Sequence, residues 1–254
     1  MDSITDMRHI VADARCGRGP SSAYLEKLER HGFVVLEPDD EGSVSLEDLM
    51  APLGVPVSYG FGTQLIQEQR PNTENSQFRT GAIPMHVDGH LNANPVSYIG
   101  LECLEAPYEG GETLVANSRA FFAMAPDDLV ETLREIKVEY WSKVSGFYAE
   151  RPDGNPVVAP VQVDPVTGED ALCVGVDYPE DPSRNFGAAV VGYSKEQNLA
   201  LFEKLADVLS RPEVMYTHKW RVGQVLIMDN RRVVHGRAEY PVDSPRKVLR
   251  ISVA

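Results

Sequence analysis

Cysteine is scarce in this sequence. The 254 residues include three cysteines, Cys16, Cys103 and Cys173, which are far apart and odd in number. They form neither a CxxC pair nor the dense, even-numbered spacing of a disulfide framework. We therefore expect reduced, mostly buried thiols and a cytoplasmic location, because disulfides are rare in that compartment.

Long apolar segments are also lacking. No run approaches the roughly 18 apolar residues that a membrane-spanning helix needs. The first residues, Met1 to Asp6, lack the basic start and the apolar stretch of a signal peptide. The sequence therefore predicts no association with a membrane.

Basic residues are outnumbered. The chain has 24 Lys and Arg against 38 Asp and Glu, which gives a net charge of −14. A surface this acidic repels phosphate backbones, so we expect no nucleic-acid partner. The length suits one domain over residues 1–254, because two would each have a small core. The oligomeric state is not readable from these features.

Strong helix signals are few, and short strand-like runs fill the rest of the chain. The predicted helices are residues 21–30, 45–53, 126–136 and 194–210. The predicted strands are residues 33–36, 96–103, 114–115, 138–141, 172–176, 214–220, 225–228 and 248–253. This pattern favours a mainly β fold, a sandwich or jelly roll with a few peripheral helices. The polar segment 60–79 is predicted to be a long loop.

Two histidines and one aspartate form a candidate metal site. His86 and Asp88 are two residues apart, so in a strand their side chains would point the same way. His235 follows much later and could join them if the two strands are neighbours. Two imidazoles and one carboxylate can hold iron and leave its opposite face open. A lone HxD pattern is weak evidence, since either histidine could have an ordinary structural role.

Residues suited to binding an anion accompany this motif. Thr113, in the segment Gly110-Gly111-Glu112-Thr113, can donate a hydroxyl hydrogen bond. Arg246 and Arg250 follow His235 by 11 and 15 residues, and they would share one side of a strand. The planar guanidinium matches the two oxygens of a carboxylate. The pattern indicates an anionic ligand near the metal, although a surface ion pair could also explain Arg246.

His90 leaves an alternative open. His86, Asp88 and His90 could all face one side of a strand and hold zinc, as in a hydrolase whose metal activates water. Gly89 could bend the chain there, and such a hydrolase would not require the two arginines. A jelly-roll protein that binds a ligand without catalysis is a third interpretation.

The order HxD, GGxT, DNxxxxHxR and RxxxR resembles the taurine dioxygenase and clavaminate synthase-like family of Fe(II)/2-oxoglutarate oxygenases. The resemblance is closer to carbapenem synthase and to the oxygenases that form vinyl isocyanides from tyrosine-derived isonitriles. It rests on residues 83–89 and 216–235 together with the strand at 31–35, and it covers most of the chain. Residues 144–193 match little.

The resemblance implies roles for single residues. His86, Asp88 and His235 would be the iron ligands. Thr113 and Arg246 would bind the distal carboxylate of 2-oxoglutarate, and Arg250 would lie nearer its metal-bound carboxylate or the substrate.

The resemblance also implies a fold and a reaction. The fold would be a double-stranded β-helix, and O2 would be the second cosubstrate. The reaction would hydroxylate, desaturate or otherwise oxidise a small molecule of specialised metabolism. The carboxylate at Asp88 disfavours halogenation, because halogenating relatives have a small residue there. His90, Tyr59 and Gln64 are candidate substrate contacts. Tyr59 and Gln64 are chosen only by analogy, because enzymes of this family often place substrate contacts in this loop.

Overall fold

The computed structural model describes residues 6–19, 22–38, 44–93, 95–144, 149–177 and 186–254. Strands dominate this part of the chain. They are Arg15–Gly17 (β1), Phe33–Glu37 (β2), Gln64–Glu68 (β3), Ile83–His86 (β4), Tyr98–Glu105 (β5), Thr113–Asn117 (β6), Val138–Ser142 (β7), Val157–Val158 (β8), Val161–Val163 (β9), Asp170–Leu172 (β10), Phe186–Val190 (β11), Met215–His218 (β12), Val225–Asp229 (β13), Val233–Arg237 (β14) and Lys247–Val253 (β15).

Two sheets build the centre of the fold. The larger has the strand order β1-β2-β13-β5-β15-β3, and the smaller has the order β12-β6-β14-β4. Apolar residues from the inner faces of both sheets share one core cluster, including Phe33 and Leu226 from the larger sheet and Val115 and Val233 from the smaller. The chain is therefore a sandwich of two packed sheets.

The central strands of the larger sheet are buried on both faces. Along β2, Phe33 and Val35 face the core between the sheets, while Val34 and Leu36 belong to a second apolar cluster on the outer face. Because side chains alternate along a strand, a run of consecutive apolar residues fits this position. The run in β13 is divided between the same two clusters.

Most of the helices cover the outer faces of the sheets, whereas the first helix packs against the core between the sheets through Met7 and Ile10. They are Met7–Asp13 (α1), Ala23–His31 (α2), Leu46–Met50 (α3), Ser118–Met124 (α4), Asp127–Glu135 (α5) and Lys195–Leu209 (α6). The four predicted helices are confirmed, and α6 begins with the predicted capping box of Ser194 and Gln197. Ser21, a candidate cap of α2, lies outside the described residues. None of the described helices is long and apolar enough to cross a bilayer.

The predicted loop at 60–79 is wrong in part. Residues 64–68 form β3, the edge strand of the larger sheet, which pairs with β15. Leu65 and Gln67 are buried, whereas Gln64 is exposed. A strand with only two inward positions, one of them polar, carries a weak alternation signal, so the pairing depends on β15 and not on the local sequence.

Candidate metal centre and anion pocket

The smaller sheet brings His86 and His235 together. Strand β14 lies between β4 and β6, and His235 is the Cα partner of His86 across the β14–β4 pair. Opposed residues of an antiparallel pair project on the same face. The pairing of β14 with β4 thus brings together two histidines that are 149 positions apart in the chain.

Asp88 reaches the two histidines from a turn and not from a strand. The strand β4 ends at His86, and residues 88–90 form a turn in which Gly89 has a φ of +99°. The buried amide of Asn230 holds this turn, because its Oδ1 accepts from Asp88 N at 3.0 Å and its Nδ2 donates to Asp88 O at 2.9 Å. The expectation that both ligands extend from one strand is therefore wrong, although they do meet.

The three side chains form a set that could hold a metal ion. One ligand atom from each of His86, Asp88 and His235 lies within 4.8 Å of the others. The Nε2 atoms of His86 and His235 lie 3.3 and 3.4 Å from the carboxylate oxygens of Asp88. The Nδ1 of His86 is 2.8 Å from the Pro84 carbonyl, which can only accept, so this nitrogen carries a proton. In a neutral ring, Nε2 then presents a lone pair to a carboxylate, an arrangement that a cation between them would stabilise.

The protonation of these groups also suits a metal. Burial by itself would raise the pKa of Asp88, but the positive charge of the neighbouring Arg250 guanidinium opposes this effect, and the pKa of Asp88 lies well below its usual value. Burial lowers the pKa of His235 and favours the neutral imidazole. A metal requires an ionised carboxylate and neutral imidazole ligands, and Asp88 and His235 meet these requirements.

Arg250 contacts the candidate metal ligands directly. Its Nη2 lies 2.7 Å from Asp88 Oδ2, and both side chains are buried or nearly so. Its Nε and Nη2 also donate to Ser252 Oγ. Arg250 therefore holds the carboxylate of Asp88 in place. The guanidinium of Arg250 is in turn oriented by Ser252, which lies on the same strand β15.

Arg246 is a buried cation beside this centre. It is 4% exposed, and its Nε donates to the Gly111 carbonyl at 3.0 Å. Its Nη1 has no hydrogen-bond partner, and no acidic side chain pairs with it within the described part of the chain. Burial lowers the pKa of Arg246, so an anion that entered the cavity would be favoured there. Thr113, also buried, lines the same cavity.

The glycines of the Gly110-Gly111 pair make room for this arginine. Gly111 has a φ of +69°, and a Cβ on it would lie 2.8 Å from Cδ of Arg246. At Gly110, with a φ of +66°, a Cβ would lie 2.3 Å from the Glu239 carbonyl oxygen. Both positions thus combine a left-handed backbone with close packing, which glycine alone tolerates.

We expect Gly111→Ala to weaken the binding of a carboxylate ligand in this pocket by about tenfold. The added methyl displaces Arg246 and strains the backbone by about 1–3 kcal/mol. Calorimetric titration with 2-oxoglutarate measures the change, and Gly154→Ala is the matched control. Gly154 has a similar φ of +74°, but a Cβ added to it would meet no atom within 4 Å. Equal affinities of the Gly111→Ala variant and the wild type would contradict this account of the motif.

His90 lies beside the cluster without completing it. Its ring stacks on Tyr140 with centroids 4.4 Å apart. In the described residues, His235 and not His90 is the third possible metal ligand beside His86 and Asp88. Burial lowers the pKa of His90 to about 4, so the ring is neutral. The zinc interpretation based on His86, Asp88 and His90 therefore lacks its third ligand, while His90 does line the cavity.

The two candidate contacts from the loop lie in different places. Tyr59 is buried, and its hydroxyl accepts from Arg250 Nη2 at 3.4 Å. Gln64 projects outward from β3, where its amide donates to Glu47 at 3.3 Å. The structure therefore does not bring Gln64 to the cavity. Gln67, on the opposite face of the same strand, does line it.

Other cavity residues were not found from the sequence. The cavity and its open mouth together contain about 1060 Å³ of empty space, which includes open solvent. Tyr140 and Phe186 form aromatic walls near His86. Arg237, two residues after His235, donates from Nη2 to the carbonyls of Ser76, Arg79 and Gly81. The HxR pattern contained this arginine, but its partners depend on the fold.

Known proteins resemble this chain over most of its length. A tyrosine isonitrile desaturase from Erwinia amylovora is 25% identical over 234 residues, which are 88% of this chain and 77% of that protein. A 3-((Z)-2-isocyanoethenyl)-1H-indole synthase from Fischerella ambigua is 25% identical over 228 residues, which are 87% and 80% of the two chains.

Solved structures share the fold. The PvcB protein from Pseudomonas aeruginosa is similar with a TM-score of 0.69 at 23% identity, over 92% of this chain and 80% of that one. An asparagine oxygenase in complex with Fe(II), 3-hydroxyasparagine and succinate has a TM-score of 0.68 at 18% identity, over 99% and 89%. The predicted jelly-roll fold is confirmed. The family described as "Taurine catabolism dioxygenase TauD, TfdA family" matches residues 20–252, and this chain belongs to it.

Proposed function

We propose that this chain is an Fe(II)- and 2-oxoglutarate-dependent oxygenase that oxidises a C–H bond of a small molecule. The observation that carries the proposal is one cavity that contains both a three-residue metal cluster and a buried arginine without an acidic partner in the described residues. Membership of the TauD, TfdA family supports it. A single domain over residues 1–254 and a cytoplasmic location belong to the same proposal.

In this proposal His86, Asp88 and His235 hold the iron. When bound, iron and 2-oxoglutarate together activate O2 for attack on a C–H bond, while 2-oxoglutarate is converted to succinate and CO2. The protein supplies two imidazoles and one carboxylate, which suit Fe(II) and leave positions free for ligands. Asn230 holds the main chain of Asp88, and Arg250 holds its carboxylate.

The anion pocket would anchor the cosubstrate. Arg246 would pair with the distal carboxylate of 2-oxoglutarate, and Thr113 would donate a hydroxyl hydrogen bond to it. The cross-strand pairing supports this arrangement. Thr113 is the Cα partner of Arg237, two residues beyond His235 on the same face of β14. The pocket therefore lies one row of residues away from the candidate metal ligands.

The walls of the cavity would position the substrate. His90, Tyr140 and Phe186 offer ring surfaces, and the neutral state of His90 suits contact with a substrate that carries no negative charge at that end. One relative is named as a desaturase of tyrosine isonitrile and another as a synthase of 3-((Z)-2-isocyanoethenyl)-1H-indole, and both names contain an isonitrile group and an aromatic ring. We therefore propose a role in specialised metabolism, with hydroxylation or desaturation as the reaction.

Succinate formation tests the proposed function. Purified protein is loaded with Fe(II) without oxygen, and 2-oxoglutarate and the isonitrile of tyrosine are added before air. We expect succinate to form only with iron and O2 present, and faster with an accepted small molecule than without one. The zinc-hydrolase alternative predicts that Zn(II) supports turnover and that no succinate appears. That outcome would refute the proposal.

A further inference from the structure

Trp220 forms one side of the anion pocket. It is 6% exposed and follows the strand β12, in which His218 is the Cα partner of Thr113. The indole Nε1 lies 3.1 Å from Oγ1 of Thr113, and both groups are buried. A contact between residues 107 positions apart thus joins a tryptophan to the hydroxyl proposed to bind 2-oxoglutarate.

The direction of this hydrogen bond follows from the chemistry of the two groups. The indole nitrogen can only donate, whereas a threonine hydroxyl has one proton and two lone pairs. Thr113 Oγ1 is therefore the acceptor in this pair. In the part of the chain that the structure describes, the hydroxyl proton of Thr113 has no protein acceptor, so the proton stays available for a ligand.

We propose that Trp220 is a positioning residue for 2-oxoglutarate. By occupying one lone pair of Thr113 Oγ1, the indole N–H keeps the hydroxyl from rotating to donate elsewhere and reserves its proton for the distal carboxylate. This inference rests on the proposed function, because it takes that carboxylate as the ligand of Thr113 and Arg246. Arg246 supplies the charge, and the Trp220–Thr113 pair supplies a directed neutral donor.

The surroundings of Trp220 hold the indole in this orientation. The ring of His218 packs edge-on against it, with centroids 4.3 Å apart and planes at 85°. His218 is itself held by Tyr216, whose hydroxyl lies 2.8 Å from its Nδ1. Burial lowers the pKa of His218 to about 3, so this ring is neutral and adds no charge to the pocket. His218 and Tyr216 thus form an uncharged, well-packed support for the indole of Trp220, as expected for a residue that orients a hydrogen bond.

A double-mutant cycle tests the proposal. Trp220→Phe removes the N–H and keeps an aromatic ring, and Thr113→Val removes the hydroxyl. Calorimetry under nitrogen measures the Kd of 2-oxoglutarate for the Fe(II)-loaded wild type, both single variants and the double variant. We expect Trp220→Phe to raise this Kd by about three- to tenfold, the size of one lost hydrogen bond. In the Thr113→Val background the same change is expected to have an effect of less than about twofold.

Two outcomes would overturn the proposal. One is an unchanged Kd in Trp220→Phe, and the other is an equal rise of the Kd in both backgrounds, which would indicate packing alone. If Trp220→Phe does not fold, replacing Trp220 by β-(3-benzothienyl)alanine keeps the indole shape and exchanges the N–H for sulfur. A wild type that binds iron but no 2-oxoglutarate would instead refute the proposed function.

Discussion

His235→Ala is expected to abolish stable iron binding and to lower the rate of succinate formation by at least about 100-fold. Loss of residues that merely support metal ligands costs about 10- to 100-fold, and loss of a ligand should cost more. The variant leaves His86 and Asp88 without the third group within 4.8 Å that completes the cluster. Metal content after anaerobic loading and desalting gives the first readout, and succinate formation gives the second.

His90→Ala is the matched control for this prediction. His90 lies two residues from Asp88 but stacks on Tyr140 and is not part of the described ligand cluster. We expect this variant to keep its iron content, whatever it does to substrate binding. Retention of metal by His235→Ala together with loss of metal by His90→Ala would favour the zinc-site alternative over the proposed one.

Arg246→Met is expected to raise the Kd of 2-oxoglutarate by at least about 30-fold without destabilising the ligand-free protein by more than about 1 kcal/mol. Truncating one side of a buried charge pair costs about 2 kcal/mol or more in binding. In the ligand-free protein, the substitution removes a hydrogen bond to Gly111, which is destabilising. It also removes a buried cation that has no acidic partner in the described residues, which is stabilising and offsets the loss. Binding and stability should therefore respond differently.

Calorimetry and urea denaturation measure the two effects in the Arg246→Met protein. Arg134→Met provides the control, because Arg134 is exposed and pairs with Asp170 on the surface. We expect Arg134→Met to leave the Kd of 2-oxoglutarate unchanged. If Arg246→Met binds 2-oxoglutarate as tightly as the wild type, the assignment of the distal carboxylate to Arg246 is wrong.

Part of the site was predictable from the sequence because its residues stand in ordered motifs. His86 and Asp88 are close in the chain, and His235, Arg246 and Arg250 follow at a spacing that resembles the motifs of the family. The structure places all five around one cavity. The strands of consecutive apolar residues were also predictable, since burial on both faces leaves a strong signal.

Other features depend on contacts between distant segments. In the sequence Trp220 is only the last residue of the predicted strand 214–220, and the pairing of β12 with β6 is what brings it to Thr113. Asp88 was expected on a strand, but the turn that carries it is held by Asn230 from 142 residues away. Gln64 was expected near the substrate, yet the pairing of β3 with β15 turns it outward. The local sequence pattern around a residue does not show which distant segment the residue will pair with.

We propose that one cavity holds iron at His86, Asp88 and His235 and 2-oxoglutarate at Arg246. A crystal structure of the protein grown without oxygen, with Fe(II) and 2-oxoglutarate and with anomalous data at the iron edge, tests it most directly. We expect one iron bound by these three side chains and the distal carboxylate of 2-oxoglutarate against Arg246 and Thr113. Iron bound through His90 in place of His235, or 2-oxoglutarate outside this pocket, would contradict it.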